Sequence, residues 1–521
     1  MNATVKVLVK QGEYHDSVSL MLVARELSNQ EGVNDAAVVM ATEANKSILL
    51  DSGLLTEEVQ KATANDLVLV VSAMDDNMAK KALDKADQIL KKKPTSGMTG
   101  ETKPKTVRSA LNMTPGVNMV IISVAGRYAA NEAWEALRHG LHVLLFSDNV
   151  TLQDEIALKR YASEHGLFLM GPGAGTAIIN GVALGFANVL PRGPIGIVSA
   201  AGTGLQEVST LIARRGIGIS QGIGTGGRDL KKEVGGLMML MGLQALQKDD
   251  DTKVIVLISK PPAEEITKVI LEQTNQCDKP TIVCFLGGEF ESISKPKNVT
   301  LAHTLQECSH LAVAAVRQDV IESQIMLEAE RKYLEEIARE QRKTILPGRQ
   351  YIRGLFSGGT LCYEAQIICK DMHINPIYSN APLPDGLHLA ESTKSIGHTF
   401  IDLGEEEFTV GRPHPMIDNH LRIRRLLQEA RDPETAIILL DVVLGYGAHP
   451  DPASELGPAI FQAREFVEKS GQGLIVVASV TGTEGDPQGL QHTISTLQKA
   501  GAIVCESNAT AARLAGMIVS V

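Results

Sequence analysis

Two short stretches of the chain read Ser199-Ala-Ala-Gly-Thr-Gly204 and Ser357-Gly-Gly-Thr360. Each follows an apolar, β-branched run and precedes a helical pattern, LQEVSTLIARR in the first case and LCYEAQIICKDM in the second. Glycine lets backbone approach a ligand closely, and a helix that starts there presents unpaired N–H groups and a partial positive charge. Such a start is an anion seat. Ser199, Gly202, Thr203 and Gly204 in the first stretch, and Ser357, Gly358, Gly359 and Thr360 in the second, are the candidate phosphate-binding residues. One such loop alone says little, because α/β turns use glycine for geometry. The same grammar at the same place in two similar units says more.

Other polar groups lie near predicted strand ends, where open α/β sheets hold their ligands. Gly224, Thr225, Gly226 and Arg228 follow one strand, and Lys260 ends another. Asp402 leads through Gly404 into Gly411-Arg-Pro-His-Pro-Met-Ile-Asp418, which carries Arg412 and His414. Asp441 stands inside an apolar strand, where an acid needs a partner. Thr481, Thr483 and Asp486 follow the next strand. Lys260 and Arg412 read as charge stabilisers and His414 as a proton carrier, with Lys260, Arg412 and His414 as the catalytic set. Arg228 joins them as a stabiliser, and the remainder as substrate-binding residues. The plain alternatives are tight turns, a proline-fixed loop, helix caps and a surface lysine.

The elements that must position these groups alternate strand and helix. Residues 1–92 predict a small α/β or α+β domain with strands at 5–10 and 66–73 and a helical stretch from Ser17 to Ser28. Residues 93–112 read as a linker, beginning with the Pro-, Gly- and Lys-rich KPTSGMTGETKPKT. From 113 to 192 strands at 118–125, 142–148 and 167–172 alternate with helices, a βαβ pattern with strands buried on both faces. A second unit, 193–318, predicts strands at 195–200, 216–224, 253–259 and 281–287. Residues 319–346 form a charged helical connector. A third unit, 347–521, predicts strands at 351–358, 398–404, 436–445, 473–482 and 502–507. Units two and three share size and order, as one fold used twice.

The chain has 521 residues, 21% of them charged, with a formal net charge of −11. That acidity disfavours nucleic acid and anionic membrane as partners, and an anionic substrate must then be held by local features. With 4% aromatic residues, stacking platforms for single-stranded nucleic acid are not expected. Six scattered cysteines without metal spacing suit a reducing cytoplasm, and no metal is expected. No apolar run reaches the length of a membrane span, and MNATVKVLVKQGEYHDS lacks a signal-peptide pattern, so a cytoplasmic protein is expected.

The stretch from Val117 to Val316 resembles the α subunit of succinyl-CoA synthetase. The matching pieces are AANEAWEALRHGLHVLLFSDNVTLQDE, GPGAGTAIINGVALGFANVLPRGPIGIVSAAGTG and GIGTGGRD. Residues 351–515 resemble the carboxy-terminal domain of its β subunit, through GLFSGGTL, FIDLG, DVVLGYG and VASVTGTEGDP. The whole chain, including KQGEYHDSVSLM and TVGRPHPMID, is similar to FdrA proteins. The resemblance implies an α/β protein of several parallel-sheet domains: a Rossmann-like CoA-binding-type domain (113–192) and two flavodoxin-like succinyl-CoA-synthetase-type domains (193–318 and 347–521). In the synthetase family two opposed helices hold a phosphoryl group between them, so the 199–204 and 357–360 loops are expected to face each other.

The departures from that family matter. Its phosphohistidine loop is replaced by Gly287-Gly-Glu-Phe-Glu-Ser-Ile-Ser-Lys295, and neither His303 nor His310 has the equivalent setting. Lys260 stands where the family has a glutamate. The family's glycine-rich CoA loop and its ATP-grasp domain are not evident. The FdrA resemblance implies carbamoyl transfer in allantoin catabolism, oxalurate and phosphate giving oxamate and carbamoyl phosphate. An acyl-CoA synthetase working with a nucleotide-binding partner is the alternative, and a non-catalytic scaffold of the same fold is a third reading. The expected ligand is an acyl phosphate or acyl-CoA, with CoA or phosphate as the candidate cofactor, partner subunits, and a homo-oligomer as a further expectation.

Overall fold

The fold is seen in a computed structural model that describes residues 4–13, 20, 23–24, 26–27, 30, 32–91, 104–124, 126–288, 296–345, 347–409, 412–469, 471 and 473–520. The helix expected over 17–28, the start of the linker, Gly411 and the stretch 289–295 lie wholly or largely outside these residues. The chain forms two compact units: Met1–Pro104 with Leu403–Asp418, and Lys105–Asp402 with Asn419–Val521.

In the first unit β1 (Thr4–Lys10), β2 (Val33–Met40) and β3 (Leu67–Ala73) make an antiparallel sheet of order β1-β3-β2. The central strand is buried at every position, and the two-residue period of a strand sends its side chains to two cores. Leu67, Leu69, Val71 and Ala73 pack with Ala79, Ala82 and Ala86 of the Asp76–Lys91 helix. Val68 and Val70 face the other way, onto Leu49, Leu54 and Val59. Leu403–Asp418 groups with this unit although the sequence assigns it to the last domain, and Arg412 Nε donates to Asn45 Oδ1 there.

The second unit is mixed α/β with several parallel sheets. Strands β4 (Met119–Ile122), β5 (His142–Leu145) and β6 (Leu169–Met170) form a small parallel sheet. The next sheet contains β7 (Thr176–Ile179), β8 (Val182–Gly185), β9 (Arg192–Ser199), β10 (Ile219–Gly224), β11 (Val254–Ser259), β12 (Thr281–Phe285) and β13 (Val299–Leu301), in the order β13-β12-β11-β9-β10-β7-β8. Its β7–β8 hairpin pairs antiparallel to β10, so the sheets do not divide at the expected 192/193 boundary. The helix Val320–Arg342 leads to the last sheet. That sheet contains β14 (Tyr351–Phe356), β15 (Ile377–Ser379), β16 (Leu387–His388), β17 (His398–Asp402), β18 (Thr435–Val443), β19 (Ile475–Thr481) and β20 (Ile503–Cys505), all parallel, in the order β16-β15-β17-β14-β18-β19-β20. In both large sheets the strand that delivers a glycine-rich loop, β9 or β14, is central.

Candidate phosphate site

The strand β9 ends at Ser199, and the helix Gly202–Arg214 begins three residues later; β14 ends at Phe356, and the helix Gly359–Asp371 follows in the same way. Neither helix has a side-chain cap, and neither carries an acidic residue in its first turn. Their first N–H groups are therefore without the usual side-chain acceptor.

The two helix starts abut. A methyl group at Gly358 would stand 2.9 Å from Thr203 Cγ2, and one at Gly204 would stand 3.1 Å from Thr360 Cγ2. At Gly358 a larger side chain would force Thr203 to shift, and at Gly204 it would press on Thr360 by a few tenths of an ångström, so both positions favour glycine. The expectation that the loops face each other, drawn from the succinyl-CoA synthetase resemblance, agrees with this geometry.

Lys260 follows β11 and reaches the second of these helices. Its ammonium lies 5.3 Å from the centroid of the Tyr363 ring, one turn into the second helix, and among the described residues it makes no hydrogen bond or ion pair. Ala200 N–H donates to Ile258 C=O at 2.9 Å, which ties the first loop to the strand that carries Lys260. Asp402, at the end of β17, is buried against Gly359: a methyl group there would overlap its Oδ2.

Several residues expected to touch substrate are engaged elsewhere. Ser199 Oγ is held within its own turn, accepting from Ala201 N–H at 3.0 Å and donating to Ala201 C=O at 2.7 Å. Asp441 is the internal brace of the second loop. Its carboxylate accepts from Ser357 N–H at 2.8 Å, Ser357 Oγ at 2.9 Å and Gly358 N–H at 2.8 Å, and it pairs with Arg422 at 3.2 Å. Both partners are buried, so each answers the other's desolvation. Thr481 donates to Glu207 Oε2; Thr483 Oγ donates to Val189 C=O at 2.8 Å; and Asp486 accepts from Val189 N–H at 2.7 Å and Asn188 Nδ2 at 2.8 Å. Those three fasten the sheet of β14–β20 to the sheet of β7–β13 instead of facing a ligand.

The glycines at 224 and 226 are packing positions. A methyl group at Gly224 would overlap Thr176 C=O, and one at Gly226 would stand 2.6 Å from Pro172 C=O. Thr225 is buried and gives its N–H to Ser199 C=O at 2.8 Å. Arg228 donates to Glu155 at 2.7 Å and to Val150 C=O at 2.7 Å, beside the buried Lys159–Asp229 pair at 2.8 Å, so it is not a substrate-facing cation. Arg412 and His414 belong to the first unit. Burial pushes the His414 imidazole down to about 4, which leaves it neutral at ordinary pH, and its Nδ1 accepts from Met416 N–H at 3.2 Å. His310, buried against Arg215 at 2.6 Å, is likewise held down at about 4 by burial and the neighbouring guanidinium.

Two glutamates went unread in the sequence. Glu207 and Glu364 each stand four residues past a loop threonine, Thr203 and Thr360, and both are buried. The repeated Thr-x-x-x-Glu spacing is the signal that marks them.

Residues 1–107 match the family model described as AllF, heavy metal-associated domain, and residues 355–518 match that of CoA-ligase. The Escherichia coli (strain K12) protein YahF is 41% identical over 514 residues, 98% of each chain. The chain belongs to the YahF family. The ADP-forming succinate–CoA ligase subunit alpha of Methanothermobacter thermautotrophicus is 30% identical to this YahF-family chain over 177 residues, 33% of this chain and 58% of the relative. This chain thus spans less than two thirds of that ligase subunit. Among solved structures, Ca. Korarchaeum cryptofilum dinucleotide forming Acetyl-coenzyme A synthetase 1 in its apo form aligns at 13% identity and a TM-score of 0.34, over 82% of this chain and 88% of that one.

A heavy-metal site needs soft thiolate or imidazole donors. Residues 1–107 of this YahF-family chain contain no cysteine and a single histidine, His15, which lies outside the described residues. Among the described residues no three of His, Cys, Asp and Glu gather as metal ligands. The donor set does not fit such a metal. Among the described residues no helix is long and apolar enough to cross a membrane.

Proposed function

We propose that the abutting starts of the Gly202–Arg214 and Gly359–Asp371 helices hold the phosphoryl group of an acyl phosphate, and that this chain is the subunit that carries out transfer at that group. The observation that carries the reading is the contact of two uncapped helix starts, Thr203 on Gly358 and Thr360 on Gly204. Two partial positive ends and the Lys260 ammonium together suit a phosphate dianion. The phosphate-binding set is Gly202, Thr203, Gly204, Gly358, Gly359 and Thr360, with Ser199 and Ser357 shaping the turns.

The FdrA resemblance supplies the substrate. Oxalurate and phosphate give oxamate and carbamoyl phosphate: a phosphate oxygen attacks the carbamoyl carbon, the C–N bond breaks, and the phosphate proton passes to the leaving oxamate nitrogen. The match of residues 1–107 to the AllF model supports that placement in allantoin breakdown. Little covalent work falls to the protein. Lys260 and the helix N–H groups would stabilise the phosphate oxygens and the carbonyl oxygen as charge develops. On this reading Asp402, beside Gly359, would accept from the carbamoyl amide. The reaction is read directly by phosphorus NMR of the protein with phosphate and oxalurate. A new carbamoyl phosphate resonance supports the reading, and its absence with every candidate partner present refutes it.

The CoA-ligase match of residues 355–518 favours a second reading, an acid–thiol ligase that forms acyl-CoA with a nucleotide-binding partner. It predicts saturable CoA binding, which the carbamoyl reading does not require.

A further inference from the structure

Beyond their first turns, the two loop helices are tied to each other by a reciprocal pair of buried carboxylates. Glu207, on the first helix, accepts from the backbone N–H of Asn508 at 2.9 Å. Asn508 is the first residue of the helix Asn508–Val519, which packs on the second loop helix. Glu364, on the second helix, accepts from the backbone N–H of Leu305 at 2.7 Å. Leu305 is the first residue of the helix Leu305–Arg317, which packs on the first loop helix. The arrangement is the same read in either direction. The side chain of Asn508 closes it, donating through Nδ2 to Glu364 Oε2 at 2.7 Å and to Leu361 C=O at 3.0 Å.

The first N–H of a helix has no partner inside the helix, and a carboxylate there is favoured by the helix dipole. A fully buried carboxylate in turn demands such donors. Each closing helix already has a Thr304 or Ser507 cap for a later N–H, and the glutamate takes the first N–H, which the cap leaves. Both glutamates sit one turn beyond Thr203 and Thr360, the residues in contact at the phosphate site.

We propose that Glu207 and Glu364 are positioning residues that set the spacing of the two helix starts, each by gripping the neighbour of the opposite helix. The proposal rests on the reading of those starts as a phosphate seat, but its first test does not. Amide hydrogen exchange of the full chain is compared for the wild type, Glu207→Gln and Glu364→Gln. Each glutamate accepts from two donors, and the one acceptor oxygen of glutamine can serve only one of them, so the link is weakened at nearly constant volume. Exchange should quicken about tenfold or more in the opposite helix start, around 200–206 in Glu364→Gln and around 357–362 in Glu207→Gln. Quickening confined to the mutated helix overturns the proposal.

The second readout is phosphate binding by the folded variants, followed by thermal shift. Each glutamine variant should lose about tenfold in affinity, while Leu497→Ala, a core truncation on another helix, lowers stability without changing it. Wild-type affinity in both glutamine variants overturns the positioning role. A wild type that ignores phosphate overturns the phosphate-seat reading alone, and hydrogen exchange then still decides the link. If either glutamine variant fails to fold, Asn508→Ala substitutes for it: the Glu207 bond to backbone survives, the Nδ2 bond to Glu364 is lost, and exchange should quicken around 200–206.

Discussion

Thr203 packs on Gly358, its Cγ2 2.9 Å from where a β-carbon would stand, so the helix starts of two separate sheets meet with a threonine side chain against bare backbone. Gly358→Ala should therefore push the starts apart. The overpacking costs about 1–3 kcal/mol of stability. The phosphate-dependent thermal shift should vanish while the far-ultraviolet dichroism stays that of the wild type. A variant that keeps the full shift would show that the contact has no part in binding.

Lys260 rests over the Tyr363 ring without a hydrogen-bonded partner among the described residues. Lys260→Ala should leave the melting temperature without ligand nearly unchanged, because only a cation–π contact of about 0.5–1 kcal/mol is lost. Affinity for phosphate should fall about tenfold or more, as expected when a charged hydrogen bond to an anion is removed. Titration of the variant with phosphate checks both halves of this statement.

Asp441 holds the second loop from beneath. Asp441→Ala strips the acceptor from Ser357 and Gly358 and leaves Arg422 buried without its carboxylate. Breaking a buried pair by removing one partner costs about 3–5 kcal/mol. Urea unfolding of the second unit should show that loss; a change below about 1 kcal/mol would mean that the loop is held by something else.

Burial, opposed by the Asn508 and Leu305 donors, pushes the Glu364 carboxyl from 4.5 up to about 7. Its folded value is raised, so the native state binds the extra proton between those two values. The contribution to stability is full below about 4.5 and is lost as pH rises toward 7, on the order of 3 kcal/mol across the window. Burial raises the Glu207 carboxyl as well, with the same sign. Urea midpoints measured at about pH 5 and about pH 8 should fall less in Glu364→Gln than in the wild type. Equal falls would contradict the shift.

The large parallel sheets were legible because β11, β12 and most of β18 and β19 are apolar runs of the kind that a doubly covered sheet buries. The β7–β8 hairpin was not, since TAII and VALG are too short to distinguish from turn-flanking residues, and its pairing to β10 is a long-range choice. Asp441 looked like a ligand because its partner Arg422 is on a helix, and no local pattern joins them. Arg412 and His414 lie after a strand end in sequence, yet their segment packs in the first unit, where its contacts are with residues more than 300 positions away, such as Asn45. The phosphate loops were readable because their chemistry is local, residue beside residue. The glutamates that link their helices were not, because each acts on a helix of the other sheet.

On the proposed reading the two helix starts grip a phosphoryl group. A thermal-shift titration of the full chain with phosphate, carbamoyl phosphate, oxamate, CoA and ATP tests it most directly, with Gly358→Ala in parallel. At about 100 times the dissociation constant a specific ligand adds roughly 2.7 kcal/mol. Phosphate and carbamoyl phosphate should each stabilise the wild type saturably, and neither should stabilise Gly358→Ala. No stabilisation of the wild type by either ligand, or equal stabilisation of the variant, would contradict it.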